Sequence, residues 1–334
     1  MSVGGRRRPR IAIALGDPAG IGPEIALKAA LDGRLTELCD PVLVGSREVL
    51  ETHARRCALL PRIEAFARAA ELSWEGDGVR LLDLDFTGRE PFALGEIDAA
   101  HGRAAVAAAR VAIEAALAGH VDAVIAAPQT ELAIRQAGID FDGHPSFVAR
   151  CTGLAPEDVF LMLCFDETRI VHATLHVSLR RALDLVTRER VGRAIRATHA
   201  TLVRLGLAAP RIAVSGLNPH AGEQGLFGDE EQRVIGPAIE AARADGIAVE
   251  GPFGADTMFH RRGYDAYLVM LHDQGHIVAK TLANHRSAAL TIGTPVLFSS
   301  VAHGSALDIA GRNLANAEAI VEAARRLVGA AGRR

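Results

Sequence analysis

The feature that most constrains this chain is a regular alternation of two patterns. Short apolar runs, rich in Val, Ile and Leu, are separated by longer alanine-rich stretches of helical period. Strand-length runs fall at Ile11–Leu15, Pro41–Val44, Val79–Leu84, Ala123–Ala127, Val159–Cys164, Ile170–His176, Arg211–Leu217, Ala266–Leu271, Ala288–Ile292 and Val296–Ser299. Helical patterns cover Gly22–Asp32, His101–Gly119, Ser178–Leu185, Arg188–Leu205, Asp229–Asp245 and Ala315–Gly329. Most of the short runs are apolar throughout, as expected of strands covered on both faces. The alternation predicts an α/β protein built on mostly parallel sheet. At 334 residues the chain holds either two domains or one large one.

Composition narrows the class. Charged residues make up 23% and the net charge is -3, which gives no electrostatic reason to expect nucleic acid as partner. No run of about 18 apolar residues exists, so no membrane span is expected. The basic stretch Arg6-Arg7-Arg8-Pro9-Arg10 precedes only a strand-length apolar run, so it reads as a frayed terminus rather than a signal peptide. Four cysteines, Cys39, Cys57, Cys151 and Cys164, lack CxxC spacing and fit a reducing cytoplasm.

Ligands of such folds bind beyond the C-terminal ends of the strands. Five places carry polar residues there. In Ala14 to Ala29, ALGDPAGIGPEIALKA, glycines and Pro23 open a helix whose start favours an anion, or form a plain glycine-rich turn. In Arg169 to Leu179, strand alternation puts Ile170, His172, Thr174 and His176 on one face, with His176 last. Asn218-Pro219-His220-Ala221-Gly222-Glu223 follows another strand. His272-Asp273-Gln274-Gly275-His276, with Lys280 beyond, follows the run Tyr267 to Leu271. His176, His220 and His272 thus stand at the ends of three strands. Three neutral imidazoles on one sheet edge suit a divalent metal with open positions, oriented by Asp273 and Asp256; the alternative is three separated structural histidines. The fifth place is Val301 to Ile320, VAHGSALDIAGRNLANAEAI. It resembles the adenosine-binding loop of the isocitrate and isopropylmalate dehydrogenase group. That likeness implies His303 and Asn316 beside adenine and Asp308 on a ribose hydroxyl, with Gly304 in the loop. A carboxylate at the ribose favours NAD over NADP.

Taken together, GDPAGIGPE, HVSL, NPHAGE, GADTMF, LHDQGH and HGSALDIAGR resemble, in order and spacing, the 4-hydroxythreonine-4-phosphate dehydrogenase (PdxA) family over nearly the whole chain. The resemblance implies two α/β/α domains of the isocitrate/isopropylmalate dehydrogenase type with a cleft between them. The expected domains are 9–130 with 287–334 on the cofactor side, and 131–286 for metal, substrate and dimerisation. It further implies a homodimer with its active site at the subunit interface. Metal ligands fall at His176, His220 and His272, at least one from the partner subunit. The ion would be zinc, or manganese, magnesium or cobalt. Substrate contacts fall at His144, Ser146, Asp256 and Lys280.

The departures from the family's vitamin B6 members concern substrate. Their TGPxxK-like and GHTE-like patterns read here Ala126-Ala127-Pro128-Gln129-Thr130-Glu131 and Gly143-His144-Pro145-Ser146. An asparagine and an arginine near the end of their sheet are replaced by Ala289 and Phe298. A phosphate dianion needs several donors, preferably an arginine fork. The chain is more similar to the terephthalate dihydrodiol dehydrogenase branch, whose substrate is a cis-dihydrodiol dicarboxylate. Phe298 then lies against a carbon ring. The expected chemistry is oxidation by NAD followed by decarboxylation, with Asp256 or a water it holds as base and Lys280 holding a carboxylate or protonating the enolate. The alternatives are 4-hydroxythreonine-4-phosphate dehydrogenase activity, a non-catalytic metabolite-binding protein, and a metal-dependent hydrolase, which leaves HGSALDIAGR without a role. Quenching of Trp74 fluorescence by NAD is the expected discriminator of the last.

Overall fold

The computed structural model describes residues 7–85, 93–283, 288–301 and 303–331. The chain forms two compact units, Met1–His144 with Pro295–Arg334, and Pro145–Thr294. The expected breaks at 130/131 and 286/287 precede these points for local reasons. Helix α5 (Glu131–Gln136) lies so close to α4 (Ala99–Leu117) that a Cβ on Gly102 would meet the Ala133 carbonyl. Residue 287 lies outside the described residues, and the strand that follows it pairs within the second unit.

The first unit is built on parallel strands in the order β3-β4-β2-β1-β5-β12. These are β1 (Arg10–Ala14), β2 (Asp40–Gly45), β3 (Ile63–Phe66), β4 (Val79–Asp83), β5 (Ala123–Ala126) and β12 (Leu297–Val301). Its other helices are α1 (Gly22–Ala30), α2 (Gly33–Leu38), α3 (Arg47–Arg56) and α11 (Glu318–Ala331). Helix α6 (His144–Thr152) begins at the last residue of this segment. Ile11, Ile13, Leu43 and Ile125 are fully buried, which is why these runs read as apolar on both faces. The strand order reverses between β1 and β5, the switch point at which open α/β sheets bind ligands.

The second unit has the order β11-β6-β7-β10-β8-β9. Its strands are β6 (Phe160–Phe165), β7 (Thr168–His172), β8 (Arg211–Ser215), β9 (Ala248–Phe253), β10 (Ala266–Val269) and β11 (Ala288–Ile292). β6 runs antiparallel to β7 and β11, and the remaining pairs are parallel. Helices α7 (Leu179–Leu185), α8 (Arg188–Arg204), α9 (Gly236–Ala244) and α10 (His272–Ala283) complete it.

Several expectations need correction. β3 and β9 carry no continuous apolar run and were not anticipated; both are edge strands, buried on fewer sides. β7 stops at His172 rather than His176, because Thr174 turns its hydroxyl to donate to the Met270 carbonyl (2.7 Å) and the chain bends. The basic terminus is tied down from Arg7 onward: Arg7 pairs with Asp122 (2.6 Å) and Arg8 with Asp40 (2.9 Å). Arg6 lies outside the described residues. Trp74 stacks on Arg10 (4.5 Å), the first residue of β1, so its fluorescence reports the sheet edge opposite the ligand side.

Leu268, fully buried at the centre of β10, tests the packing account. Leu268→Ala is expected to destabilise the protein by about 2–5 kcal/mol, read as a shift in the denaturant midpoint.

Candidate active site

At the switch point of the first unit, the segments after β1, β5 and β12 meet. The Asp17 N–H donates to the Pro128 carbonyl (2.8 Å), the Ile21 N–H to the Ser305 carbonyl (2.8 Å), and the Thr130 hydroxyl to Ser305 Oγ (2.9 Å). Gly20 is required by close approach, since a Cβ there would lie 2.8 Å from Ser305 Cβ. The start of α1 is thereby covered by the 303–316 segment, and it serves as that segment's seat. Glu24, with no exposed surface, completes the seat: it accepts from the N–H groups of Gly311 (3.2 Å) and Ala315 (3.1 Å) and from Lys28 Nζ (2.8 Å). Lys28 also donates to the Ala315 carbonyl (2.6 Å).

The segment so held carries the expected cofactor residues. Asp308 sits in a short turn and lines a cavity of about 410 Å³ with Arg56, Leu94, Gly95, Gly311 and Arg312. His303 and Gly304 are exposed, and His303 Nδ1 lies 3.2 Å from the Gly304 carbonyl. Asn316 accepts from the Glu318 N–H (3.2 Å) and opens α11. Arg56, Leu94 and Gly95 were not anticipated: they stand more than 200 residues earlier in the chain and belong to no pattern shared with Asp308.

On the second unit the LHDQGH stretch acquires a residue-by-residue explanation. His272 opens α10, and its Nδ1 lies 2.7 Å from Asp273 Oδ1, which leaves Nε2 free to bind. Gln274 Oε1 accepts from the N–H groups of Met270 (3.0 Å) and Leu271 (2.9 Å), and its amide donates to the Gly216 carbonyl (3.2 Å). Gln274 thus ties the ends of β10 and β8 together. Gly275 lets His172 come close, since a Cβ would lie 2.4 Å from its Nε2. His276 stacks on His272 at 3.8 Å and lies 4.5 Å from His172. Lys280 follows one turn later on the same helix face as His272 and His276. His176, on a bend beyond β7, places its ring 5.7 Å from that of His272. His172 and His276 were noticed in the sequence but given no role. Burial, reinforced by the neighbouring imidazoles, pushes His172 to about 3 and His276 to about 4, so both are neutral at physiological pH.

His220 sits differently. Residues 220–224 form a left-handed turn, with φ of 52, 53, 78, 42 and 58°. Each non-glycine residue there costs about 1–2 kcal/mol, so something must hold it. Buried Glu231 accepts from the N–H groups of Leu217 (2.7 Å) and Asn218 (2.8 Å) and from Asn218 Nδ2 (3.0 Å). Burial alone raises its pKa, but these donors outweigh it and hold the carboxyl below its ordinary value. The His220 ring faces Phe227 (5.8 Å), and its Nδ1 is 3.4 Å from Glu223. Exposed Asp256 lies on the turn after β9, whose Gly254 packs near the His220 backbone.

Of the three expected metal ligands, His176 and His272 therefore come together and His220 does not join them. Among the described residues no group of three or more His, Cys, Asp or Glu side chains is placed to hold a metal ion. The donor chemistry of the pair still suits one: two neighbouring imidazoles, one oriented by a carboxylate as metal-bound histidines are.

The expected substrate residues divide in two. His144 packs against Phe298 (5.3 Å) and Phe141 (5.6 Å), and its Nε2 is buried without a partner among the described residues. Phe298 is itself 1% exposed. Ala289 joins the apolar cluster of Leu163, Tyr267 and Val269. Ser146 is half-buried on the first turn of α6.

Residues 37–327 match the family model described as pyridoxal phosphate biosynthetic protein PdxA. The chain is 43% identical over 312 residues to the 1,2-dihydroxy-3,5-cyclohexadiene-1,4-dicarboxylate dehydrogenase of a Comamonas species, covering 93% of this chain and 95% of the relative. It is also 43% identical over 321 residues to a putative D-threonate 4-phosphate dehydrogenase of Symbiobacterium thermophilum, covering 95% of each. Among solved structures, 4-hydroxythreonine-4-phosphate dehydrogenase from Klebsiella pneumoniae superposes with a TM-score of 0.86 at 35% identity, covering 97% of this chain and 99% of that one.

Burial pushes His144 down to about 4 from an ordinary 6.5. The unfolded chain takes up a proton near 6.5 that the folded one refuses until about 4. Its contribution to stability is complete above the unfolded value and is lost as pH falls toward the folded one. Chemical denaturation at pH 7.5 and 5 should show this loss, and His144→Phe should reduce it. Equal pH dependence in the two proteins would contradict the burial of a neutral imidazole.

Proposed function

The chain belongs to the PdxA family and is a dehydrogenase acting on CH–OH groups; from that premise we propose that it oxidises and decarboxylates a hydroxy acid, using NAD and one divalent metal ion. The proposed substrate is an unphosphorylated cis-dihydrodiol of an aromatic dicarboxylate, such as the terephthalate dihydrodiol. The observation that carries the substrate reading is Phe298, buried against His144, where the resemblance to the vitamin B6 members leads one to expect an arginine. A phenyl ring offers a phosphate neither charge nor donor.

His176 and His272 hold the ion, and His220 completes the set across a homodimer, at least one ligand coming from the partner subunit. Val177 and Leu179 beside His176, and Ile277 and Leu282 on α10, all exposed apolar side chains, support this. A bound divalent ion, zinc or else manganese, magnesium or cobalt, supplies Lewis acidity at the substrate oxygen. Asp256 takes the hydroxyl proton, and bound NAD would accept hydride from the carbon that carries that hydroxyl. That leaves a ketone beside a carboxylate; carbon dioxide departs and leaves its bonding pair as an enolate, and Lys280 holds the remaining carboxylate or protonates the enolate. For a dihydrodiol the product is a phenol, so aromatisation drives the step. His144, Ser146 and Phe298 shape the substrate pocket. His303, Gly304, Asp308 and Asn316 hold the adenosine, with Asp308 on the ribose hydroxyls and unfavourable to a 2′-phosphate. The four cysteines, none of them in a disulfide among the described residues, support a cytoplasmic setting. Among the described residues no helix is long and apolar enough to cross a membrane.

A second reading, oxidation of a phosphate ester such as 4-phosphohydroxythreonine, is favoured by relatives of similar identity named for such substrates. NADH formation with metal-replete protein separates the two. The expected result is turnover of the cis-dihydrodiol dicarboxylate and none of 4-phosphohydroxythreonine or threonate 4-phosphate. Turnover of a phosphate ester alone would sink the argument from Phe298.

A further inference from the structure

We infer that Glu231 is the positioning residue that fixes His220 for metal binding, acting through the backbone of the left-handed turn and not by touching the ion. The inference rests on the reading of His220 as a ligand and extends it to a residue that no sequence pattern links to it. His220, Ala221, Glu223 and Gln224 all adopt positive φ, with Gly222 among them. Side chains other than glycine leave that region unless their surroundings hold them. Glu231 meets the turn at two points. At its entry, Oε1 accepts from the N–H groups of Leu217 and Asn218 (2.7 and 2.8 Å), and Oε2 from Asn218 Nδ2 (3.0 Å). At its middle, Gly222 packs so close that a Cβ would lie 2.7 Å from Oε2. The carboxylate is 4% exposed, and its donors Leu217 and Asn218 lie in the segment leading into the turn. Gly216, at the same entry, is the residue whose carbonyl receives the Gln274 amide beside His272. The Glu231 anchor therefore acts on the stretch that also meets the α10 end of the site.

A residue that only filled the core would not need charge, and its loss would add independently to the loss of His220. A residue that works through His220 would have nothing left to lose once that imidazole is gone. Zinc affinity, read by competition with a chromophoric chelator, separates these for His220→Ala, Glu231→Ala and the double variant, with NAD affinity and the thermal transition measured alongside. His220→Ala and Glu231→Ala should each weaken zinc binding by about tenfold or more. The double variant should be no weaker than His220→Ala alone, and NAD affinity should stay within about twofold. Glu231→Gln should lose less, because its Oε1 still accepts both backbone N–H groups. Where Glu231→Ala does not fold, the same comparison runs through Glu231→Gln and its double variant. Wild-type zinc affinity in both Glu231 variants, or an additive double variant, would overturn the inference while leaving His220 as ligand. Wild-type affinity in His220→Ala would overturn the ligand reading and this inference with it.

Discussion

Everything functional in this chain depends on the direction of its strands. Parallel pairing brings the C-terminal ends of β1, β5 and β12 to one edge, and does the same for β7, β10 and β8. Polar residues that follow separate apolar runs are thereby gathered without any of them being close in sequence. The cost is that these loops leave the regular hydrogen-bond ladder and must be fixed by other means.

Each unit solves that problem with a buried glutamate. Glu24 receives the N–H groups of Gly311 and Ala315 and fixes the segment that carries Asp308 and Asn316. Glu231 receives those of Leu217 and Asn218 and fixes the turn that carries His220. A carboxylate is well suited to this, since its two oxygens accept several N–H bonds and charge strengthens each one. The desolvation cost is offset by Lys28 in the first case and by the Asn218 amide in the second. Glycines at 20 and 275 complete the arrangement by letting Ser305 and His172 approach.

Much of this was legible in the sequence. Ten apolar runs marked ten of the twelve strands among the described residues, because a strand covered on both faces has little choice of residue. β3 and β9 escaped because an edge strand does not need that pattern. His272 and Asp273 were found because a histidine directly after a core strand, followed by a carboxylate, is unusual. The end of β7 was misplaced because alternation continues through Thr174 and His176 after the ladder has stopped, and only the Thr174–Met270 bond reveals it. Arg56 and Leu94 beside Asp308, and Glu231 beneath His220, left no mark in the sequence. Their roles come from contacts across the fold and not from spacing.

A crystal structure of the protein soaked with zinc and NAD, with the ion located by anomalous scattering, tests the account most directly. The predicted result is one ion per site on His176 and His272, with His220 completing its shell across a dimer, and adenosine in the cavity lined by Asp308. Zinc bound without His176 and His272, or adenosine away from the 303–316 segment, would contradict it.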